Sequence, residues 1–441
     1  MAEQEEEYDP HEHRKEMLEY PTNNIETFFN LIKGCFGTGV LAMPEAFKYT
    51  GMINGIVSLL VLALFATYCI HVLVRSQYAL CKKKRVGLLI YSKSMEAAAE
   101  FGPPVLRTWG RVMGIFADFF LIFYQFGLCC VYWVFIGKNL KYVIDVYCAE
   151  KQPLYYYMLA LIIPFCLIMC VRNLKIFAPF SMVADVITLV TFGVVFYYIF
   201  SQLDANFNDR PAVGNIQGYP LFVGTVLFSL QSVPMVIGVE NNMKTPEYFR
   251  KPFGSLNTAF SILTLSYLMV GICGYWRYGE DIQPSITMNF PPEEIMAEVI
   301  ICSYCIAIFV TYGLNAYVPI NIICTSYLNP KLPEGTTDRK KLIFEMLIRL
   351  GFVILTCILA TTIPLLGIFI SLCGSVGLSA LGIIFPGILE ICAYWEEEKT
   401  RPNKFTFWKD MGMIILGFAG LLTGLYSAIL AMIEKLSSED Y

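Results

Sequence analysis

Apolar runs long enough to cross a bilayer follow one another along most of the chain, and short polar stretches between them hold most of the charge. A span needs roughly 17 to 25 apolar residues, somewhat more when tilted. Runs of that kind fall at 26–48, 53–75, 112–138, 154–171, 177–201, 219–243, 255–277, 293–327, 342–363, 366–391 and 409–434. The pattern predicts an all-α integral membrane protein of eleven transmembrane helices, the eighth long enough to project beyond the lipid. Two of the runs are interrupted, about half the chain apart. Gly34-Cys-Phe-Gly-Thr-Gly-Val-Leu-Ala-Met-Pro44 breaks the first, and Ser229-Leu-Gln-Ser-Val-Pro-Met-Val-Ile-Gly238 breaks the sixth. Glycine and proline disrupt the helical hydrogen-bond ladder, and in hydrocarbon each unmade backbone bond costs several kcal/mol. Such breaks persist only where the freed groups line a cavity or are buried in protein. Helices one to five (26–201) and six to ten (219–391) then form two halves joined by an outer loop (202–218), each half opening with a broken helix. Repeats of five spans are inverted relative to one another, and a cytoplasmic loop with the eleventh helix (392–434) is left over. Matched breaks in inverted halves point to the central site of a secondary transporter.

Lysine and arginine bias sets the orientation. Arg14, the run Lys82 to Arg85, Arg107, Arg111, Arg172, Lys244, Arg250, Arg339 to Lys341 and Lys404 all fall on one side. This places the N-terminus in the cytoplasm and the tail 435–441 outside or in a lumen. Residues 1–25 are polar and acidic, with no cleavable signal core, so the first helix is expected to act as its own insertion signal. That segment reads as a solvated, disordered tail, with a partner-binding role as the alternative. Ser92 to Glu100 reads as a short amphipathic helix on the cytoplasmic face, capped by Ser92 or Ser94 and ended by Gly102-Pro103. The adjacent Lys82 to Arg85 run reads as a topology determinant or as a site for anionic lipid.

Composition narrows the function classes. With 56% hydrophobic and only 15% charged residues, a water-soluble fold is excluded. The net charge of −4 points to no nucleic-acid partner. The fifteen cysteines lie mostly inside apolar runs, where cysteine packs as a small hydrophobe, and no CxxC pair stands in a polar loop. Neither a metal site nor a cofactor is expected. No nucleophile–base pair or phosphate loop stands outside the spans, which argues against an enzyme.

Several segments carry a more specific signal. They are Leu31-Ile-Lys-Gly-Cys-Phe-Gly-Thr-Gly-Val-Leu-Ala-Met-Pro44, Cys130-Val-Tyr-Trp-Val-Phe-Ile-Gly-Lys-Asn139, Gly274-Tyr-Trp-Arg-Tyr-Gly-Glu-Asp-Ile-Gln-Pro-Ser-Ile-Thr-Met-Asn-Phe-Pro291, Thr311-Tyr-Gly-Leu-Asn-Ala-Tyr-Val-Pro319, and Phe369-Ile-Ser-Leu-Cys-Gly-Ser-Val-Gly377 with Phe385-Pro386. In that order the chain resembles the proton-coupled amino-acid transporters of the amino acid/auxin permease group, over nearly its whole membrane region. The resemblance implies import of small neutral amino acids, often driven by a proton gradient. Members commonly carry a coupling histidine three residues before the first-helix lysine, where this chain has Asn30. Tyr68 stands at a second family histidine, with His71 one turn on. The family's sixth-helix Glu-Gly-x-Gly is here Gln231-Ser232-Val233-Pro234, although Glu240-Asn241 and Met243-Lys244 match. The family's outer disulfide has no counterpart, because Glu293 occupies the position that would partner Cys148. These departures bear on coupling and specificity.

An amino acid is a zwitterion and needs two opposite partners. Backbone N–H groups at Gly37, Thr38 and Gly39, at the start of a half-helix with about +0.5 charge, suit its carboxylate. Carbonyls exposed around Ser229, Gln231 and Ser232 suit its ammonium, and Pro234 begins the next half-helix where a missing N–H costs least. Tyr124, Phe228, Tyr312 and Asn315 are candidate pocket walls, with plain core packing as the other reading. Intramembrane carboxylates are costly and usually functional. Asp118 and Asp185 lie about 9–12 Å into their helices and are candidate proton carriers, or else pair with Arg111 or Lys33. Glu45, near the outer interface beside Lys48, and Glu240, near Lys244, are further candidates. His71 reads as interfacial. Unwound carbonyls of helix one together with Thr311 offer a cation site, which keeps sodium open beside protons. The reading is a transporter of small neutral amino acids working by alternating access, the broken helices rocking against helices three, four, eight and nine. A sensor that binds amino acid with little flux, and an uncoupled facilitator, are the alternatives. The plasma membrane and the lysosomal or endosomal membrane are both open.

Overall fold

A computed structural model describes residues 8–18, 21–148, 150–172, 174–201, 210–230, 233–333, 337–400 and 404–437. Helices dominate, and among the described residues the lone β-bridge joins Thr22 to Met243. The first interrupted run forms α2 (Asn24–Cys35), then α3 (Thr38–Leu41) and α4 (Met43–Thr50), following a separate N-terminal α1 (Pro10–Met17). Asn23 and Glu26 close a capping box at the start of α2, satisfying otherwise orphaned backbone donors. Gly51, at φ 81°, ends α4 and opens α5 (Met52–Lys84). A side chain there would strike the backbone of Pro211 and Gly214, whose loop docks on the turn. The second run extends past the expected 75 to Lys84, where three lysines favour the negative end of the helix dipole.

Next come α6 (Tyr91–Phe101), α7 (Pro104–Arg107), α8 (Gly110–Ile144), α9 (Leu154–Ala160), α10 (Ile162–Met169) and α11 (Leu174–Ser201). The second half contains α12 (Tyr219–Leu230), α13 (Val233–Asn241), α14 (Pro246–Phe249), α15 (Ser255–Tyr278), α16 (Ile295–Ile322) and α17 (Asp338–Thr362). It closes with α18 (Leu366–Leu372) and α19 (Phe385–Ala393), then α20 (Trp395–Thr400) and α21 (Phe405–Ser437). Among the described residues, nine helical stretches are long and apolar enough to cross a membrane. The expected first and fourth spans are shorter pieces, the broken α2/α3–α4 and the pair α9–α10, which covers Leu154–Met169. The helix between α18 and α19 widens into π-turns over Cys373–Leu378 and Ala380–Ile384, and α16 continues as a π-turn over Ile323–Leu328.

Three local expectations change. The N-terminal segment, expected to be disordered, carries α1, with Asp9 capping the first turn and Arg14 buried. The short helix after the lysine run is not capped by Ser92 or Ser94. It starts after Ile90, and Ser94 instead hydrogen-bonds back to the Ile90 carbonyl and accepts from Gln77. It is also no surface helix, because Tyr91, Ser94, Met95 and Ala97 to Ala99 are buried against α8 and α19.

At the centre, α12 packs on α4, on α18 and on the π-turn that follows it. Glycines permit this approach: a side chain at Gly224 would meet Ser371 and Ser375, and one at Gly374 the Gly224 carbonyl. Around this core α8 packs on α16, and α16 on α11. The two breaks thus face each other inside a protein-lined interior, where freed backbone groups are tolerated.

Candidate functional site

The last amide of α2's ladder is Phe36, bonded to the Ile32 carbonyl, and Gly37 follows in extended backbone. The chain then re-enters a helix at Thr38. Opposite, α12 ends at Leu230 and α13 resumes at Val233. Gly39 and Ser229 hold the two elements together. A side chain at Gly39 would stand 2.5 Å from the Ser229 hydroxyl and 3.0 Å from its Cα. Ser229 in turn donates to the Thr225 carbonyl at 2.8 Å.

Beside this junction lies a cavity of about 230 Å³. It is lined by Gly37, Thr38, Gly39, Tyr124, Phe228, Ser229, Thr311, Asn315 and Asp185 from the expected set. Gln125, Tyr132 and Leu128 of α8 line it as well. Tyr124 and Phe228 meet edge to face, with ring centroids 6.5 Å apart. Asn315 donates to the Thr311 carbonyl at 3.1 Å and contacts the Tyr132 hydroxyl at 3.4 Å. Two lining atoms, the Thr38 hydroxyl and the Gln125 side-chain oxygen, are buried with no hydrogen-bond partner among the described residues. Buried polar atoms are nearly always satisfied, so such orphans mark places where a ligand or water is needed. At the rim Lys33 and Asp185 form an ion pair of 2.5 Å, each about one-third exposed.

Other expected residues lie elsewhere. Gln231 and Ser232 fall outside the described residues. Tyr312 does not line the cavity: it is fully buried, meets Phe165 edge to face at 4.4 Å and bonds Thr356 of α17. Asp118 does not pair with Arg111. It accepts from the Tyr327 hydroxyl at 3.1 Å and from Ser92, and it does not line the cavity. Glu45 lines a separate, larger cavity of about 1440 Å³ at the opposite end of the bundle, which shares no lining residue with the central one. Its expected partner Lys48 pairs instead with Glu280, while Glu45 accepts from Tyr49 at 3.1 Å. Glu240 does not engage Lys244. It is buried against Arg14 of α1 at 3.0 Å, and Arg14 also donates to the carbonyl of Gly87. His71 bonds Asn257 at 2.7 Å. Cys148 is a free, exposed thiol.

Sequence reasoning passed over Gln125, a polar residue in mid-span whose neighbour Tyr124 drew attention first. It also missed a buried charge network on α5, α19 and α21. Arg75 and Lys409 both engage Glu390, Lys409 engages Asp410 at 2.8 Å, and both carboxylates are fully buried. A stricter search for charges inside the apolar runs would have found both.

The family model for transmembrane amino acid transporter proteins matches residues 21–430. The Drosophila melanogaster protein named proton-coupled amino acid transporter-like protein pathetic is 32% identical over 421 residues, 96% of this chain and 88% of that protein. Probable amino acid transporter skat-1 of Caenorhabditis elegans is 24% identical over 433 residues, 95% of this chain and 92% of its own length. Among solved structures, the inward-facing conformation of Mhp1 superposes with a TM-score of 0.54 at 13% identity, covering 94% of this chain and 92% of that one. A closed, bromovinylhydantoin-bound form of Mhp1, a nucleobase-cation-symport-1 family transporter, gives 0.54 at 12% identity and covers 95% and 92%. At such identities the likeness concerns the fold alone, and it agrees with the five-plus-five arrangement expected from the two breaks.

Proposed function

The chain belongs to the transmembrane amino acid transporter family, and from that premise we propose that it moves small neutral amino acids by alternating access, with protons as the coupling ion. It is a multi-pass membrane protein and not an enzyme. The observation that carries the substrate reading is the cavity at the junction of the two breaks, with its two orphaned polar atoms, Thr38 Oγ1 and Gln125 Oε1. In this reading the substrate carboxylate lies against the backbone amides at Gly37 to Gly39, where the half-helix dipole favours an anion. The ammonium meets carbonyls at the ends of α2 and α12 and the Gln125 oxygen.

Size and charge argue for the substrate class. At about 230 Å³ the cavity is smaller than the roughly 300–1,000 Å³ of drug-sized sites. Tyr124 and Phe228 narrow it further. The one cation among its described lining residues, Lys33, is held by Asp185, which leaves no ready partner among them for an acidic substrate side chain.

Coupling rests on that same pair. Protonation of Asp185 would remove its attraction for Lys33 and loosen α2 from α11 at the rim, a movement suited to opening a cytoplasmic route. Asp118 and Glu240 have partners of their own away from the cavity and are weaker coupling candidates. The test is equilibrium binding of alanine, glycine and proline to the purified chain, followed by uptake into proteoliposomes. Binding with gradient-driven uptake supports the proposal, binding without flux favours the sensor, and no binding contradicts it.

A further inference from the structure

The larger cavity, of about 1440 Å³, has no part in the reading above, yet it is lined by a buried carboxylate. Glu45 is only 7% exposed. It stands on α4, the piece of the first broken helix that continues from α3. Its place is made by a glycine on the facing helix: a side chain at Gly367 of α18 would collide with the Glu45 carboxylate. Tyr49, a neutral donor, gives it a hydrogen bond at 3.1 Å. Among the described residues no cation pairs with it, although the charges of Lys435, Lys138 and Lys48 act on it.

The lysines of this cavity are unequally engaged. Lys48 pairs with Glu280 at 3.5 Å and Lys141 with Asp145 at 2.6 Å, while Lys151 and Lys435 are exposed. Lys138 of α8 is half-buried, lines the same cavity, and has neither an ion pair nor a side-chain hydrogen bond among the described residues. Glu45 and Lys138 feel each other's charge without meeting. Taking either charge out of water without a partner is costly. A ligand with one charge would satisfy one of them and strand the other. A zwitterion satisfies both, since an ammonium brings three N–H donors and a carboxylate only acceptors.

We propose that Glu45 and Lys138 form a second amino-acid site inside the larger cavity, with the ligand's ammonium on the Glu45 carboxylate and its carboxylate on the Lys138 ammonium. The two cavities share no lining residue, so both can be filled at once. The same two elements nonetheless serve both: α8 supplies Lys138 here and Tyr124 and Gln125 at the centre, and the first broken helix supplies Glu45 here and Gly37 to Gly39 there. A ligand in the second site bridges these elements and waits beside the route to the central one. This inference rests on the amino-acid reading above.

Equilibrium binding of labelled alanine to the purified full chain, read as the number bound at saturation, tests it. Wild type should bind two alanines per chain, and Glu45→Gln and Lys138→Met should each bind one. A folded variant that still binds two, or that binds none, overturns the inference. So does a wild type that binds a single alanine whose affinity Gly37→Ala weakens, and that result leaves the amino-acid reading standing. A wild type that binds no alanine overturns that reading and this inference with it. If neither variant folds, the wild-type chain is challenged with propionate and with ethylamine, which carry one of alanine's two charges each. At the concentration where glycine displaces the second alanine, neither should displace it, and displacement by either one overturns the inference.

Discussion

Gly37 and Gly39 stand two residues apart at the first break, yet alanine should have opposite consequences at the two positions. At Gly37 the backbone is extended, at φ −146° and ψ −156°, which any residue adopts, and an added Cβ has no atom of the described residues within 4 Å. Gly37→Ala should therefore fold as well as wild type, or gain up to about 1 kcal/mol from a less flexible unfolded chain. Its methyl, however, projects into the space of about 230 Å³ where the substrate carboxylate is placed. Overpacking of a fitted site costs about 1–3 kcal/mol, which weakens binding by roughly 5- to 150-fold. At Gly39 the same methyl lands 2.5 Å from the Ser229 hydroxyl and 3.0 Å from its Cα. That backbone cannot retreat cheaply, so about 1–3 kcal/mol is lost from the fold itself. The assay pairs equilibrium binding of labelled alanine with thermal unfolding of the purified chain. Gly37→Ala should keep its Tm and lose affinity, and Gly39→Ala should lose Tm. Wild-type affinity in Gly37→Ala would refute the placement of the carboxylate.

Four further outcomes are expected. Arg14→Ala leaves Glu240 buried without its cation, a loss of about 3–5 kcal/mol if the segment stays docked. The segment should instead undock, and hydrogen exchange across residues 10–17 should rise; unchanged protection would contradict the role of the Arg14–Glu240 pair in holding α1. His11 is stacked on Tyr78 at 4.5 Å, and burial, then the neighbouring Arg14, lower its pKa against the opposing pull of Asp9 and Glu247, with Arg250 lowering it further. The undocked segment therefore takes up the proton first, and docking should weaken as pH falls below about 6.5; exchange at residues 10–17 that ignores pH between 7.5 and 5 would count against this. Asp185→Asn should flatten the pH dependence of uptake by removing the titratable half of the rim pair, and an unaltered profile would return that pair to a structural role. Asp118→Asn, at a residue that does not line the cavity and is bonded to Tyr327, should leave the pH profile as it is, and a flattened profile would move the coupling site to α8.

Much of the architecture was legible because lipid imposes a strong rule. Backbone groups must be satisfied within the chain, so long apolar runs become helices and interruptions become sites. The breaks at Gly37 and after Leu230 were visible for that reason, and so were the cavity residues flanking them. Partner choice was less legible, since it depends on contacts between residues far apart in sequence. Glu240 meets Arg14 across 226 residues, and Lys48 chooses Glu280 over nearby Glu45. The α1 segment looked solvated from its charge, but one buried arginine and a histidine–tyrosine stack dock it. Tyr267 carries no local signal at all, because the two carbonyls its hydroxyl meets lie on other helices. Tyr312 shows the converse: a polar residue in mid-span that simply packs, with its hydroxyl satisfied by Thr356.

The central claim is that the cavity between the two breaks carries small neutral amino acids across a membrane. Uptake of labelled alanine into proteoliposomes, in sodium-free buffer with and without an inward proton gradient, tests it most directly. The account predicts uptake that the gradient stimulates and that Gly37→Ala suppresses. Uptake at the level of empty liposomes, with or without the gradient, would contradict it.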